Sequence, residues 1–183
     1  MKQIFLNGFR GTSFQVKEFA QEHGLIRAGH VGFAFEDNPE FVFGFHPTAE
    51  AIEAVGGEVA AIEWLKENQP LQGILQADYA VFERAFDLHE QGARTEVWFI
   101  TIEVPDAEYE RIRAQAIQWY TEKTIFTYAF PERGQAPKPY WDNCATFPRR
   151  LTLPLPEPTG QLSRYIQALE TQGRKWKPKG RSF

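Results

Sequence analysis

His30–His46, HVGFAFEDNPEFVFGFH, decides how the chain is read. Two runs of alternating residues flank a polar EDNPE turn, the pattern of a β-hairpin. Setting His30 opposite His46 pairs 31 with 45, 32 with 44, 33 with 43, 34 with 42 and 35 with 41. One face then carries Val31, Phe33, Phe35, Phe41, Phe43 and Phe45, and the other His30, Gly32, Ala34, Val42, Gly44 and His46. Strand side chains alternate between faces, so a slip of one residue would mix the two sets. The aromatic face reads as core, because cross-strand aromatic pairs bury large areas. The small face lets another element approach closely, with two imidazoles side by side at one end of it.

The bulk properties narrow the class. A chain of 183 residues predicts a single domain with a sizeable core. Its 43% hydrophobic and 24% charged residues belong to a globular protein, and sixteen Phe against one Met predict an aromatic core. A net charge of −4 provides no electrostatic footprint for nucleic acid. One cysteine excludes an internal disulfide framework and any multi-cysteine metal site; the free thiol fits the cytoplasm. The N-terminal MKQIFLNGFRGTSF lacks the pattern of a signal peptide, and no stretch is apolar for long enough to span a membrane.

Working outward, KQIFL (2–6) reads as a short edge strand ended by NGFRG, and Ser13 as the cap of a helix running to about Glu22. After the hairpin, TAEAIEAV is a short helix closed by Gly56-Gly57. Residues 58–75 are ambiguous, and Asp78 caps a helix ending near His89. Segment 49–94 carries no chemical signature and reads as an insertion or cap. EVWFITIEV (96–104) is a buried strand, DAEYERIRAQAIQWYTEK (106–123) a helix, and IFTYAF (125–130) a short strand or extended link. A Pro-rich loop leads to Asn143-Cys144, ATFPRRL reads as the first turns of a helix, and Thr159 or Ser163 starts a final helix. Residues 172–183 form a basic tail.

Chemistry concentrates at Cys144. A thiol is activated as thiolate by a helix N-terminus and a neighbouring imidazole. In DNCATF, Asp142 or Asn143 can cap a helix starting at Cys144. If that helix lies on the small face of the hairpin, His30 reaches the sulfur as base and His46 orients His30, the arrangement of covalent catalysis. Pro148 must then fall within the first turn.

The HVGF hairpin opening at His30, the polar His46 on the return strand and the late NC-x-x-F at Asn143–Phe147 resemble the circularly permuted papain-like group. That group is similar to NlpC-type cell-wall peptidases with His before Cys, and includes the lecithin retinol acyltransferase-like proteins and the PPPDE-type peptidases. The resemblance covers roughly 28–48 and 95–170 and leaves 49–94 unmatched. It implies an α+β fold, an antiparallel sheet packed against a helix carrying the nucleophilic Cys144. It further implies His30 as base, His46 as third polar residue, the Cys144 N–H in an oxyanion hole, and Asn143 and Tyr128 in support.

The resulting expectation is a cysteine hydrolase or acyltransferase acting through an acyl-enzyme on an amide, ester or thioester of a peptide, lipid or acyl substrate. The alternative is a non-catalytic binding module of the same fold. No cofactor is implied. No P-loop or dinucleotide fingerprint appears, and one Cys with two His at these spacings matches no common zinc motif.

Overall fold

The computed structural model describes residues 1–10, 29–92, 95–130, 141–158 and 162–179. The helix expected from Ser13, most of the Pro-rich loop, Thr159 and the end of the basic tail lie outside them.

The hairpin forms from β2 (Gly29–Phe35) and β3 (Asn38–Pro47). Gly32 pairs with Gly44 and Phe33 with Phe43, in the register the two faces demand. Nearer the turn the register shifts, and Phe35 pairs with Asn38 instead of Phe41. Pro39 sits in this irregular stretch; it has no N–H for a ladder, and irregular or bulged pairing is where a sheet accommodates one.

Flanking the hairpin is β1 (Lys2–Arg10), which pairs with both β2 and β5 (Val97–Val104) and is therefore an interior strand. The NGFRG turn signal is overridden because Gly8 lies under Trp98, where a Cβ would come within 2.2 Å of the indole. On the other side, β4 (Leu71–Ala77) pairs with β3 and β6 (Phe126–Tyr128) pairs with β4. β7 (Trp141–Asp142) and β8 (Arg174–Lys175) complete the order β7-β6-β4-β3-β2-β1-β5-β8. Every pairing is antiparallel except β6 with β7.

Two cores lie on opposite faces of this sheet. The aromatic face of the hairpin, with Ile4 and Leu6 from β1, is covered by α4 (Asp106–Thr121) through Tyr109, Ile112 and Ala116. Leu162, Tyr165, Ile166 and Leu169 of α6 (Leu162–Glu170) join the same cluster, as do Ala61 and Leu65 of α2 (Glu58–Lys66). The short α1 (Ala49–Ala54), capped by the Thr48 hydroxyl, precedes α2. The second core covers the small face: Phe82, Ala85, Phe86 and Leu88 of α3 (Tyr79–Glu90) meet Phe9, Ala34, Val42 and Val97.

The element on the small face is thus α3, where the sequence reading put the Cys144 helix. A Cβ on Gly32 would meet Phe82 of α3 at 3.0 Å, and one on Gly44 would fall 1.5 Å from the Asp78 carboxylate. Cys144 is carried by no helix. It lies in the turn Cys144–Thr146, ahead of the four-residue α5 (Phe147–Arg150). Pro148 in the first turn explains the late start, since a proline is tolerated there and not deeper in a helix.

Candidate functional site

Three strand-end positions converge at one end of the hairpin. His30 opens β2, His46 closes β3, and Asp78 follows β4 at the N-cap of α3. The Asp78 N–H donates to the Val42 carbonyl at 2.8 Å, which fixes the residue against β3. Its side chain makes no cap hydrogen bond to α3. The carboxylate instead turns into the small face: Oδ1 meets His46 Nε2 at 2.6 Å and Oδ2 meets His30 Nε2 in a short contact. The imidazole rings lie 4.5 Å apart, tilted by 31°, with Phe9 and Phe82 around His30.

All three residues are sealed: His30 is 0%, Asp78 2% and His46 3% exposed. Burial alone would push both imidazoles toward neutrality. At His30 that effect is outweighed by the Asp78 carboxylate, with a further contribution from Cys144, and the pKa rises to about 10. At His46 burial prevails over Asp78, the charge on His30 adds to it, and the pKa falls. Burial would raise the pKa of Asp78, but the two imidazoles hold it well below the usual carboxylate range. The Asp78 carboxylate thus favours the charged form of His30, while burial favours the neutral form of His46. The Nδ1 atoms of both rings are buried without a hydrogen-bond partner.

The remaining site candidates sit around the 142–147 turn. Asn143 Oδ1 accepts from the N–H groups of Ala145 and Thr146 at 3.0 and 3.1 Å, so Asn143 caps the turn as its residue type suggests. Cys144 is 2% exposed and belongs to the aromatic-face core, together with Tyr128, Phe45 and Phe147. His30 has its ring neighbours in the other core. The thiol is close enough to act on the pKa of His30 and, alongside burial, on that of Tyr128, which is pushed well above its ordinary value.

These facts correct the sequence reading. The expected constellation was a thiol at a helix start, His30 free to serve it as base, and His46 behind His30. Instead the cluster that forms is His30–Asp78–His46, and both Nε2 atoms belong to Asp78. Cys144 is a buried residue of a turn, outside that cluster. The papain-like assignment, the nucleophile-bearing helix and the acyl-enzyme mechanism all fall with that arrangement, and with them the descriptions thiol protease and cysteine peptidase. Asp78 is the residue that sequence reasoning missed. It looked like an ordinary helix cap, and the signal that could have found it was Gly44, a gap beside His46 that needs a polar occupant.

No family model matches the chain, and neither a curated protein nor a solved structure matches it. No helix among the described residues is long and apolar enough to cross a membrane.

A second feature lies at the opposite end of the hairpin. A cleft of about 270 Å³ opens between the turn and α4, walled by Phe35, Phe41, Phe43 and Tyr120, with Asp37 and Arg113 also lining it. The Phe41, Phe43 and Tyr120 rings meet edge to face at 4.8–5.7 Å. Arg113 Nε pairs with Asp37 at 2.8 Å, and the Tyr109 hydroxyl donates to the other Asp37 oxygen.

Proposed function

We propose that this chain is a non-catalytic binding module in a single domain. The observation that carries the reading is the separation of reactive groups from open space. His30, His46, Asp78 and Cys144 are each at most 3% exposed, so no substrate carbonyl reaches them in the folded state. The cleft at the hairpin turn is open and apolar, and its lining includes no thiol and no imidazole. In this reading His30, Asp78 and His46 fix one end of the sheet, Asn143 caps the 142–147 turn, Cys144 and Tyr128 pack in the core, and the cleft takes the ligand.

The cleft suits an apolar group with a carboxylate at one end, the chemistry shared by a fatty acyl chain and an apolar peptide C-terminus. The aromatic wall takes the apolar part. Arg113 spends its Nε on Asp37 and has further N–H donors to offer a carboxylate. We place the module in the cytoplasm on the strength of its lone free thiol.

The test is calorimetric titration with decanoate and, separately, with an acetylated dipeptide ending in Leu. Phe41→Ala should weaken binding about tenfold or more, the cost of truncating an anchoring side chain. Arg113→Gln should weaken the carboxylates and leave decanol unaffected. The absence of binding by both ligands, or binding indifferent to Phe41, would reject the cleft as the recognition site.

A further inference from the structure

We propose that the His30–Asp78–His46 centre binds one divalent transition-metal ion, with zinc the best match to its donors. This stands apart from the cleft reading and shares no residue with it. The three side chains offer two nitrogens and one oxygen, all within 4.8 Å of one another. Imidazole and carboxylate are zinc's ordinary ligands besides thiolate.

The site is built by the fold. Its ligands come from the start of β2, the end of β3 and the residue before α3, so the sheet and α3 hold them independently. Gly44 clears the space that the Asp78 carboxylate occupies. Four-coordinate zinc with bonds of roughly 2.0–2.1 Å puts neighbouring donors about 3.3 Å apart. The 2.6 Å contact between His46 and Asp78 would open by less than about 1 Å.

Both Nδ1 atoms are buried without a hydrogen-bond partner, so each is free to carry its ring's remaining proton once Nε2 turns to a metal. They supply what metal binding needs. When the ion takes the Nε2 of His46, the proton displaced from that atom moves to Nδ1 of the same ring. His30 likewise keeps a proton on Nδ1, and the proton on its Nε2 goes to solvent. One dication enters and one proton leaves, so the centre gains one positive charge.

The experiment uses the full chain, free of any affinity tag. Its metal content is measured by mass spectrometry as purified. After stripping with a chelator, the chain is titrated with Co²⁺ and then challenged with Zn²⁺. The expected result is about one ion per chain, tetrahedral Co²⁺ bands in the visible spectrum, and displacement of Co²⁺ by Zn²⁺. His30→Ala and His46→Ala should each weaken binding by more than about 100-fold, beyond the roughly 10–100-fold typical of an outer partner. His89→Ala should bind as wild type does. Because the ligands are buried, each variant is first checked for fold by circular dichroism. If the variants unfold, the wild-type titration and the rise of its melting temperature up to one equivalent of Zn²⁺ decide the matter. A stripped, folded wild type that takes up no ion overturns the proposal, as does a folded His30→Ala or His46→Ala chain that binds with unchanged affinity. Decanoate binding to the stripped chain reports on the cleft separately.

Discussion

Gly44→Ala probes the packing of the buried centre with a single methyl group. A Cβ at Gly44 would lie 1.5 Å from Asp78 Oδ2, 2.3 Å from its Cγ and 2.9 Å from His46 Nε2. The carboxylate cannot stay, and β3 cannot retreat because it pairs on both sides with β2 and β4. Moving Asp78 breaks both imidazole contacts. Hydrogen bonds to charged groups contribute about 1.5–3 kcal/mol each, and breaking a buried ion pair costs about 3–5 kcal/mol. These overlap, so the expected loss is about 3–5 kcal/mol in all. Gly32→Ala is the control. Its Cβ would press on Phe43 O and Val42 Cγ1 at 2.8 Å, overpacking that costs about 1–3 kcal/mol. Urea unfolding followed by Trp fluorescence, on chelator-treated protein at neutral pH, measures both. Combining Gly44→Ala with Asp78→Ala should cost well below the sum of the two single losses, because the Asp78 clash has gone and only the 2.9 Å contact with His46 Nε2 remains. A Gly44→Ala loss below about 1 kcal/mol, or strictly additive losses in the double variant, would refute the placement of Asp78 against Gly44.

Three further outcomes follow from the same geometry. His30 has its folded pKa at about 10, above the ordinary 6.5, so its contribution is full below pH 6.5 and is lost as pH rises toward 10. His46 and Asp78 are shifted downward, so theirs are full above 6.5 and 3.8 respectively and are lost as pH falls. Urea midpoints of the metal-free chain should therefore peak near pH 6.5, and Asp78→Asn should flatten the alkaline limb; an unchanged limb would contradict the His30–Asp78 pairing. Asn143→Ala removes the acceptor for two N–H groups and should cost about 0.5–2 kcal/mol in the same assay. Tyr109→Phe should raise the Asp37 pKa toward its ordinary value, because the Tyr109 hydroxyl is the main cause of its depression, and NMR titration of the Asp37 carboxyl reads this directly.

The hairpin was legible because both of its faces are chemically distinct. The six large residues of the aromatic face enter one core, with only Phe41 partly buried, and the 32/44 and 33/43 pairs follow from the alternation. What covers the small face was not legible. A Gly/Ala surface says that something comes close without naming it, and the only cysteine drew the inference toward the 142–147 turn. Asp78 stayed hidden because a carboxylate before a helix has an ordinary explanation as a cap, and only the packing of α3 turns it toward the histidines. The length of β1 was missed for a similar reason. Asn7-Gly8 carries a turn signal in isolation, and the Trp98 ring above Gly8 overrides it.

The most direct test of the non-catalytic reading is intact-mass spectrometry of the native chain after incubation with a p-nitrophenyl ester. With Cys144 2% exposed and outside the His30–Asp78–His46 cluster, the native protein should stay unmodified and release no burst of nitrophenol. The same chain labelled in denaturant with a thiol reagent should gain one adduct at its single cysteine. One acyl group per native chain, located on Cys144 and lost in His30→Ala, would contradict the account.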